Sequence, residues 1–287
     1  MGKQKRSENT YQKINTLYKR DINNIIMQHY DWVSPEFEYL RGCLWGASEK
    51  IDGTNMRIEV EQKPVYRPES ATDFMPLDII DGVKFTVSIK GKTDNAQIPP
   101  HLEKYMKETF TNDKVFASLG IKEYIPHEEW AEHGWCVSKE DPTPMYEKIP
   151  EKYTLYGEGY GMKIQKCGAR YLSNSVSFRG FDVKVNDEYL LRDNAMSVFE
   201  KLGADTVPYF GLMTIDEAIE KVREGFISEI SEDRTLMAEG LVLSSPLGLK
   251  NRRGERLIVK IKYMDFVKYR NKYGTDEKVE QTPNPHL

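Results

Sequence analysis

The sequence predicts an α+β fold in which antiparallel sheets are flanked by helices. Several segments alternate apolar and polar residues, which is typical of strands that face a core on one side. Other segments place apolar residues at helical spacing. Strand and helix segments follow one another without strict β-α-β alternation, so antiparallel pairing is favoured. With 287 residues, the chain is long enough for one large domain or two small ones.

The first predicted element is an amphipathic helix between residues 11 and 30. Apolar side chains recur there three or four positions apart, at Ile14, Leu17, Tyr18, Ile22, Ile25 and Ile26. Residues 55–61 and 83–89 then alternate in the manner of half-buried strands. We therefore expect an N-terminal helical segment over residues 1–40, ahead of the main domain.

The main domain is expected over residues 41–270. Its periodicity weakens at 99–150, where helical fragments at 101–110 and 127–135 predict a helical insertion. Strands are expected again at 153–157 and 178–185, and then a helix at 191–202 that Gly203 ends. Thr214 and Glu217 form a T-x-x-E capping box before the next helix. Strands at 238–244 and 257–263 precede a flexible tail at 271–287.

Composition excludes several classes of protein. Hydrophobic residues make up 39% and charged residues 30%, the balance of an ordinary globular protein. A net charge of -4 argues against holding nucleic acid by bulk charge, although a local basic groove stays compatible with it. No apolar stretch has the length of a membrane span or a signal peptide. Cys43, Cys136 and Cys167 form no C-x-x-C pair. We expect a cytoplasmic protein without membrane contact.

The residues that carry chemistry begin with E-K-I-D-G-T-N at 49–55. Lys50 stands just before a glycine turn and a strand, and Asp52 follows two residues later. A K-x-D-G tetrapeptide alone is a weak signal. Further motifs follow in order: YGEGYG with Glu158, FRGFDV with Phe181 and Asp182, AEGLVL with Glu239, and IVKIKY with Lys260 and Lys262.

Elementary chemistry supports a reactive lysine in this series. A lysine is a nucleophile only after it loses its proton, so nearby positive charge, a metal or desolvation must lower its pKa. Lys260 and Lys262 alternate in one strand, so both ammonium groups project from the same face and supply such charge. Glu158 and Glu239 offer the oxygen ligands that magnesium prefers. The glycines beside them would let the backbone approach a ligand closely.

The ordered motifs resemble the covalent nucleotidyltransferase superfamily of polynucleotide ligases and mRNA capping enzymes. Over about residues 41–263 the sequence is most similar to the RNA ligase 2 family of ATP-dependent RNA ligases, whose nucleophile motif is E-K-x-(H/D)-G-T-N. GKTDNAQIP at 91–99 resembles that family's R-T-x-x-x-(I/L) element with Lys92 in place of the arginine. IQK at 164–166 also matches. The resemblance implies a nucleotidyltransferase domain, and we expect no appended OB-fold domain.

The resemblance implies three nucleotidyl transfers that start from ATP. Lys50 attacks the α-phosphorus to form lysyl-AMP, AMP passes to a 5′-phosphate, and a 3′-hydroxyl then seals the strand. Lys260 and Lys262 would neutralise the α-phosphate and the transition state at the lysine. Three carboxylates would hold Mg²⁺ or Mn²⁺ through waters: Asp52, Glu158 and Glu239. Glu158 contacting the ribose is the alternative.

The remaining roles come from the same resemblance. Glu49 would help to select adenine, Asn55 and Lys92 would act in the later steps, and Asp182 would orient the site. Phe181 would stack on adenine, with Phe178 as the competing candidate. Lys92 keeps the positive charge of the family's arginine but lacks its planar fork, so the later steps are expected to be slowed or retuned.

Other functions stay open at this point. A GTP-dependent mRNA capping guanylyltransferase and a DNA ligase share K-x-D-G, and a non-catalytic module would only bind nucleic-acid ends. The expected partner is a nucleic acid, in our interpretation RNA, with 5′-phosphate and 3′-hydroxyl ends. A substrate clamp would come from a protein partner, or from the insertion together with the basic tract at 268–272. A pre-adenylated substrate is the third alternative.

Overall fold

A computed structural model describes residues 11–27, 30–66, 80–126, 129 and 149–274. Its strands are β1 (Asn15–Thr16), β2 (Trp45–Glu49), β3 (Thr54–Tyr66), β4 (Ile80–Gly91), β5 (Tyr124–Pro126), β6 (Lys152–Gly161), β7 (Val176–Val185), β8 (Glu188–Tyr189), β9 (Tyr209–Met213), β10 (Gly240–Ser244) and β11 (Ile258–Lys262). Its helices are α1 (Pro35–Tyr39), α2 (Pro100–Thr109), α3 (Asn112–Leu119), α4 (Gly168–Tyr171), α5 (Arg192–Leu202), α6 (Ile215–Glu224) and α7 (Tyr263–Tyr273).

The chain divides into two units, each built on its own sheet. The six-stranded unit contains Thr54–Gly159 and Val176–Thr206, and the five-stranded unit contains Tyr11–Gly53, Tyr160–Ser175 and Val207–Leu287. The predicted α+β class with antiparallel sheets and flanking helices is confirmed. The division into residues 1–40, 41–270 and 271–287 stays a prediction.

The sheet of the six-stranded unit has the order β5-β4-β3-β6-β7-β8. Strand β3 pairs antiparallel with both β4 and β6, and its apolar residues Met56, Ile58 and Val60 are completely buried. Helices α2 and α5 pack against β7, and α3 packs against α5. The strands predicted at 55–61, 83–89, 153–157 and 178–185 are confirmed, as are the helices predicted at 101–110 and 191–202.

The polar face of β3 differs from the expected half-buried strand. Arg57 and Glu59 are completely buried and lie 2.7 Å apart as an ion pair. The ammonium groups of Lys90 and Lys152 lie 2.5 and 3.1 Å from the same Glu59 carboxylate. Alternation of charged and apolar residues reports polarity rather than exposure, because a paired charge can be buried. Strand β3 is therefore buried on both faces here.

The sheet of the five-stranded unit has the order β1-β11-β10-β2-β9. All its pairings are antiparallel except that of β1 with β11. The amphipathic helix α6 buries four apolar side chains in the core of this unit: Ile215, Ala218, Ile219 and Val222. The predicted capping box of α6 is confirmed, because the backbone N–H of Glu217 donates to Thr214 Oγ1 and the Glu217 carboxylate accepts from the Thr214 N–H. Tyr263, predicted as the last residue of a strand, instead begins α7.

The helix predicted at 11–30 is wrong for the described residues of that segment. Strand β1 pairs there with β11, and Arg20 forms a β-bridge with Ile26. The carboxylate of Asp21 accepts the backbone N–H groups of Asn23 and Ile25 at 2.9 and 3.0 Å, which favours a turn over a helix. Ile22, counted on the apolar face, is 99% exposed at this turn.

Two further expectations fall largely on residues that are not described. Of the helix predicted at 127–135, only residue 129 is described, and residues 275–287 of the predicted tail lie outside the described part. Residues 271–273 continue α7. Within the described residues, no helix combines the length and apolar character needed to cross a membrane.

Candidate active site

Three neighbouring strands of the five-stranded sheet bring the predicted lysines to one face. Gly240 lies opposite Lys262, and the backbone N–H of Lys50 donates to the carbonyl oxygen of Gly240 at 2.9 Å. Lys260 precedes Lys262 by two residues in β11, so the two side chains share a face. The intervening Ile261 points into the core and is 3% exposed. The expectation that Lys260 and Lys262 project together is confirmed.

The carboxylate of Glu239 connects two of these lysines. Its Oε2 accepts from Lys50 Nζ at 2.6 Å, and its Oε1 lies 2.5 Å from Lys262 Nζ. Glu239 lies immediately before β10, where its carbonyl oxygen also accepts the backbone N–H of Tyr263. These side chains are 17–28% exposed, so solvent screens the ion pairs only in part. The arrangement holds the ammonium of Lys50 in one position.

Lys260 has a different environment from Lys262. Among the described residues, its ammonium makes no ion pair or hydrogen bond. The pKa of Lys260 is lowered to about 8, chiefly by burial and in addition by the positive charges of Lys262, Lys50 and Arg20, against the opposing charge of Glu239. Lys260 is therefore a cation whose charge is sensitive to mildly alkaline pH.

Arg20 is a contributor that the sequence did not indicate. Its Nη2 donates to both carboxylate oxygens of Asp265, at 2.7 and 2.6 Å. Asp265 lies in the first turn of α7, directly after the strand that carries Lys260 and Lys262. This contact was missed because the N-terminal segment was wrongly predicted as a helix. Arg20 reaches Asp265 from an extended chain that pairs along β11.

Asp52 lies in the turn after Lys50. Its backbone N–H donates to the hydroxyl of Tyr171 at 3.2 Å, and Gln165 Nε2 donates to the carbonyl oxygen of Gly53 at 3.0 Å. Burial raises the pKa of the Asp52 carboxyl, and the negative charge of Glu239 raises it further, while Lys50 and Lys262 oppose the shift. Gln165 belongs to the IQK match, whereas nothing in the sequence indicated Tyr171.

The donor chemistry of Asp52 and Glu239 fits a divalent cation. Two carboxylates that disfavour each other's charge are stabilised by a cation between them or nearby, and Mg²⁺ and Mn²⁺ prefer oxygen ligands. In the described part of the chain, no group of three or more His, Cys, Asp or Glu side chains is arranged to hold an ion directly. Coordination through waters stays a prediction.

Glu49 is buried beside the lysine cluster at the end of β2. Ser228 Oγ donates to one carboxylate oxygen at 2.5 Å, and the backbone N–H of Glu229 donates to the other at 3.0 Å. Glu49 is 2% exposed, so its carboxylate fixes the 228–229 segment in place. A carboxylate oxygen accepts more than one hydrogen bond, so contact with an adenine amino group stays compatible with this geometry. No sequence motif indicated Ser228.

Two of the motif glycines, Gly157 and Gly240, are required by protein packing, and the expected close approach of a ligand to the backbone stays a prediction. A Cβ at Gly240, whose φ is +146°, would stand 1.9 Å from the carbonyl oxygen of Ile261 on the neighbouring strand. A Cβ at Gly157, in the other unit, would stand 2.2 Å from Cζ of Phe178. Both distances are far below van der Waals contact, so each glycine is required by its neighbouring strand.

The other predicted residues lie in the six-stranded unit. Asn55 on β3 lies directly opposite Glu158 on β6, so their side chains share one face of that sheet. Phe181 and Asp182 lie on β7 and are half-buried, and the exposed Lys92 follows β4.

The structure separates the two aromatic candidates for stacking on adenine. Phe178 is 1% exposed and packs in the core against Phe110 and Phe199, with ring centroids 5.5 and 6.4 Å apart. Phe181 keeps part of its surface in solvent. Of the two, Phe181 is therefore the one with solvent-accessible surface to offer a ligand, and its stacking role stays a prediction.

The solved structures to which the chain is similar include RNA ligases of Naegleria gruberi. A mutant with ATP and Mn has a TM-score of 0.47 and 13% identity over 90% of this chain and 63% of that chain. A mutant with AMP and Mn has a TM-score of 0.46 and 14% identity over 91% of this chain and 63% of that chain. The ligase with PPi has a TM-score of 0.43 and 14% identity over 92% of this chain and 64% of that chain. The chain thus spans less than two thirds of these structures.

A family model also matches most of the present sequence. No curated protein matches the sequence. Residues 44–262 match the model of the RNA ligase family, and this range includes every residue predicted above for the site. Because that match extends over most of the 287 residues, the chain belongs to the RNA ligase family.

Proposed function

We propose that the chain is an ATP-dependent RNA ligase that joins a 5′-phosphate to a 3′-hydroxyl through lysyl-AMP. The observation that carries the proposal is the contact of Glu239 with both Lys50 and Lys262, beside Lys260, which has no ion-pair partner among the described residues. A lysine held at a fixed position among further cations suits attack on a negatively charged phosphate. Membership of the RNA ligase family supports the same activity.

The first transfer forms a phosphoramide bond. Lys50 loses a proton to Glu239 Oε2, which is the acceptor within hydrogen-bond reach at 2.6 Å. The free amine attacks the α-phosphorus of ATP, the bond to the bridging oxygen breaks, and pyrophosphate leaves. Lys260 and Lys262 stabilise the negative charge that develops on the α-phosphate.

Each of the two later transfers forms one bond to phosphorus and breaks another. An oxygen of the 5′-phosphate attacks the phosphorus of lysyl-AMP, and the P–N bond breaks to give an adenylylated RNA end and a free lysine. The 3′-hydroxyl then attacks the activated 5′-phosphate and releases AMP. We assign Asn55 and Lys92 to these steps, as the family resemblance implies.

The remaining assignments also follow the family resemblance. Phe181 stacks on adenine, Glu49 contributes to its selection, and Asp182 orients the site. Glu158 either contacts the ribose or joins Asp52 and Glu239 around Mg²⁺ or Mn²⁺. When bound, the metal ion offsets the negative charge of the phosphates.

The proposal also includes the place of action, the substrate and a protein partner. Cys43 and Cys167 are free thiols in the described structure, which supports the cytoplasm as the place of action. The substrate is RNA, supported by membership of the RNA ligase family. A protein partner that supplies a substrate clamp stays an alternative to a clamp within this chain.

A strand-sealing assay tests the proposed activity. The purified chain is incubated with Mg²⁺, with ATP or GTP, and with a nicked duplex whose 5′-phosphorylated and 3′-hydroxyl strands are RNA or DNA. We expect a sealed RNA strand with ATP and none with GTP. Sealing or labelling by GTP alone would favour a capping guanylyltransferase, and sealing of DNA alone would favour a DNA ligase. Binding of the ends without any product would favour a non-catalytic module.

The charge of Lys260 predicts a pH dependence for ATP binding. Its ammonium is charged below about pH 8 and loses its charge as the pH rises through its pKa. The affinity for α,β-methylene-ATP, which cannot transfer AMP, should therefore weaken about tenfold between about pH 7 and about pH 9.5. Lys260→Arg keeps its charge in this range, so its affinity should change little. Equal weakening of both proteins would contradict the role of Lys260.

A further inference from the structure

The buried arginine of the six-stranded unit reaches the loop that carries Lys92. Arg57 Nη1 donates to the carbonyl oxygens of Gly91 and Lys92 at 2.9 and 3.0 Å, and Nη2 contacts the carboxylate of Asp94. The side chain of Arg57 is 0% exposed. One rigid guanidinium therefore fixes the backbone on both sides of Lys92.

Stability alone gives a weak reason for a buried arginine at this position. Its charge is balanced by Glu59 and Asp94, and Glu59 is shared with Lys90 and Lys152. Replacing a buried ion cluster with apolar residues of similar volume is often neutral or stabilising. What an apolar side chain cannot supply is the fork of donors that holds two successive carbonyl oxygens of the Lys92 loop.

The loop leaves the Lys92 side chain available to a ligand. The backbone N–H of Ala96 donates to the carbonyl oxygen of Thr93 at 3.0 Å, and a Cβ at Gly91 would stand 2.9 Å from Cβ of Ala96. The chain thus folds tightly back on itself after β4. The Lys92 side chain is exposed and has neither an ion pair nor a hydrogen bond within the described ranges. Its backbone is fixed while its ammonium is unpaired there.

We propose that Arg57 is a positioning residue that presents the ammonium of Lys92 to the 5′-phosphate of the RNA. A lysine binds phosphate as a point charge without the directional fork of an arginine, so its placement depends on its backbone. Arg57 supplies that placement from beneath the loop. The inference rests on the proposed function and adds a residue that the motif resemblance did not include.

Binding and transfer are measured on the full chain. Fluorescence anisotropy without ATP compares the affinity for a 5′-phosphorylated RNA oligonucleotide with that for its 5′-hydroxyl form. Single-turnover assays measure lysyl-AMP formation and then AMP transfer to the 5′-phosphorylated RNA. The variants are Arg57→Lys, Lys92→Ala, their double mutant and Asp94→Ala, which acts from the exposed end of the cluster. Lys152→Gln is the control, because its ammonium contacts the carboxylates of Glu59 and Glu61 on β3.

The expected pattern separates positioning from general destabilisation. Arg57→Lys should reduce AMP transfer and the preference for a 5′-phosphate about tenfold, while lysyl-AMP formation changes less than about twofold. Asp94→Ala should show the same pattern more weakly, and Lys152→Gln should not. Adding Arg57→Lys to Lys92→Ala should reduce AMP transfer by less than about a further twofold, because both changes act through the ammonium of Lys92.

Two outcomes would overturn the inference. One is an equal loss of both transfers in Arg57→Lys and Asp94→Ala, or a full additional loss in the double mutant. The other is equal binding of the two oligonucleotides by the unaltered chain. Failure of the unaltered chain to form lysyl-AMP would instead contradict the proposed function, since the binding comparison is made without ATP.

Discussion

Replacing Lys50 with arginine is expected to reduce lysyl-AMP formation by at least about 1,000-fold. Arginine keeps the positive charge and the length needed to contact Glu239, but its guanidinium is not deprotonated in the accessible pH range and cannot attack phosphorus. The measurement is transfer of label from α-labelled ATP to the protein on a denaturing gel. The exposed Lys201 of α5 provides the control variant Lys201→Arg, which should retain full labelling.

The Lys50 variant also separates chemistry from folding. Lys50 is 21% exposed and keeps its ion pair with Glu239 when arginine replaces it, so the melting temperature should stay close to that of the unaltered chain. Undiminished labelling of Lys50→Arg would exclude Lys50 as the nucleophile. An unlabelled but unfolded variant would be recognised by its melting curve.

Replacing Glu239 with glutamine is expected to lower the rate of lysyl-AMP formation about 100-fold. Glutamine has nearly the same shape, but it cannot accept the proton of Lys50 or compensate the charges of Lys50 and Lys262. Removing this negative charge also favours the neutral amine, which by itself would raise the rate. We expect the rate to fall overall, because the Lys50 side chain is no longer held in position.

Single-turnover labelling at saturating ATP measures the effect of Glu239→Gln. Glu224→Gln, at the exposed end of α6, removes a carboxylate that makes no ion pair in the described structure and serves as the control. A Glu239→Gln rate within about threefold of the unaltered chain would contradict the role assigned to this carboxylate.

Local periodicity predicted much of the fold. The alternation at 55–61 and 83–89 and the capping box at Thr214 and Glu217 each depend on neighbours within a few residues, and each was confirmed. The segment at 11–27 has helical spacing too, but Asp21 accepts two backbone N–H groups there and β11 offers an edge for pairing. Spacing alone cannot weigh these competing hydrogen bonds.

The candidate site was predictable in its residues but not in its contacts. Motif order identified Lys50 and Glu239, which are 189 positions apart, and strand alternation correctly placed Lys260 and Lys262 on one face. That a single carboxylate contacts two lysines depends on strand register, which no local pattern reports. Burial of Arg57 was equally unpredictable, because its partners Gly91 and Asp94 come 34 and 37 positions later in the sequence.

The attachment site of AMP tests directly whether Lys50 is the nucleophile. Lys260, whose pKa is lowered to about 8, is the rival nucleophile in the same cluster. The unaltered chain is incubated with ATP and Mg²⁺, digested at neutral pH to preserve the phosphoramide, and analysed by tandem mass spectrometry. We expect one AMP, on the peptide that contains Lys50. AMP on Lys260 or on any other residue would contradict it.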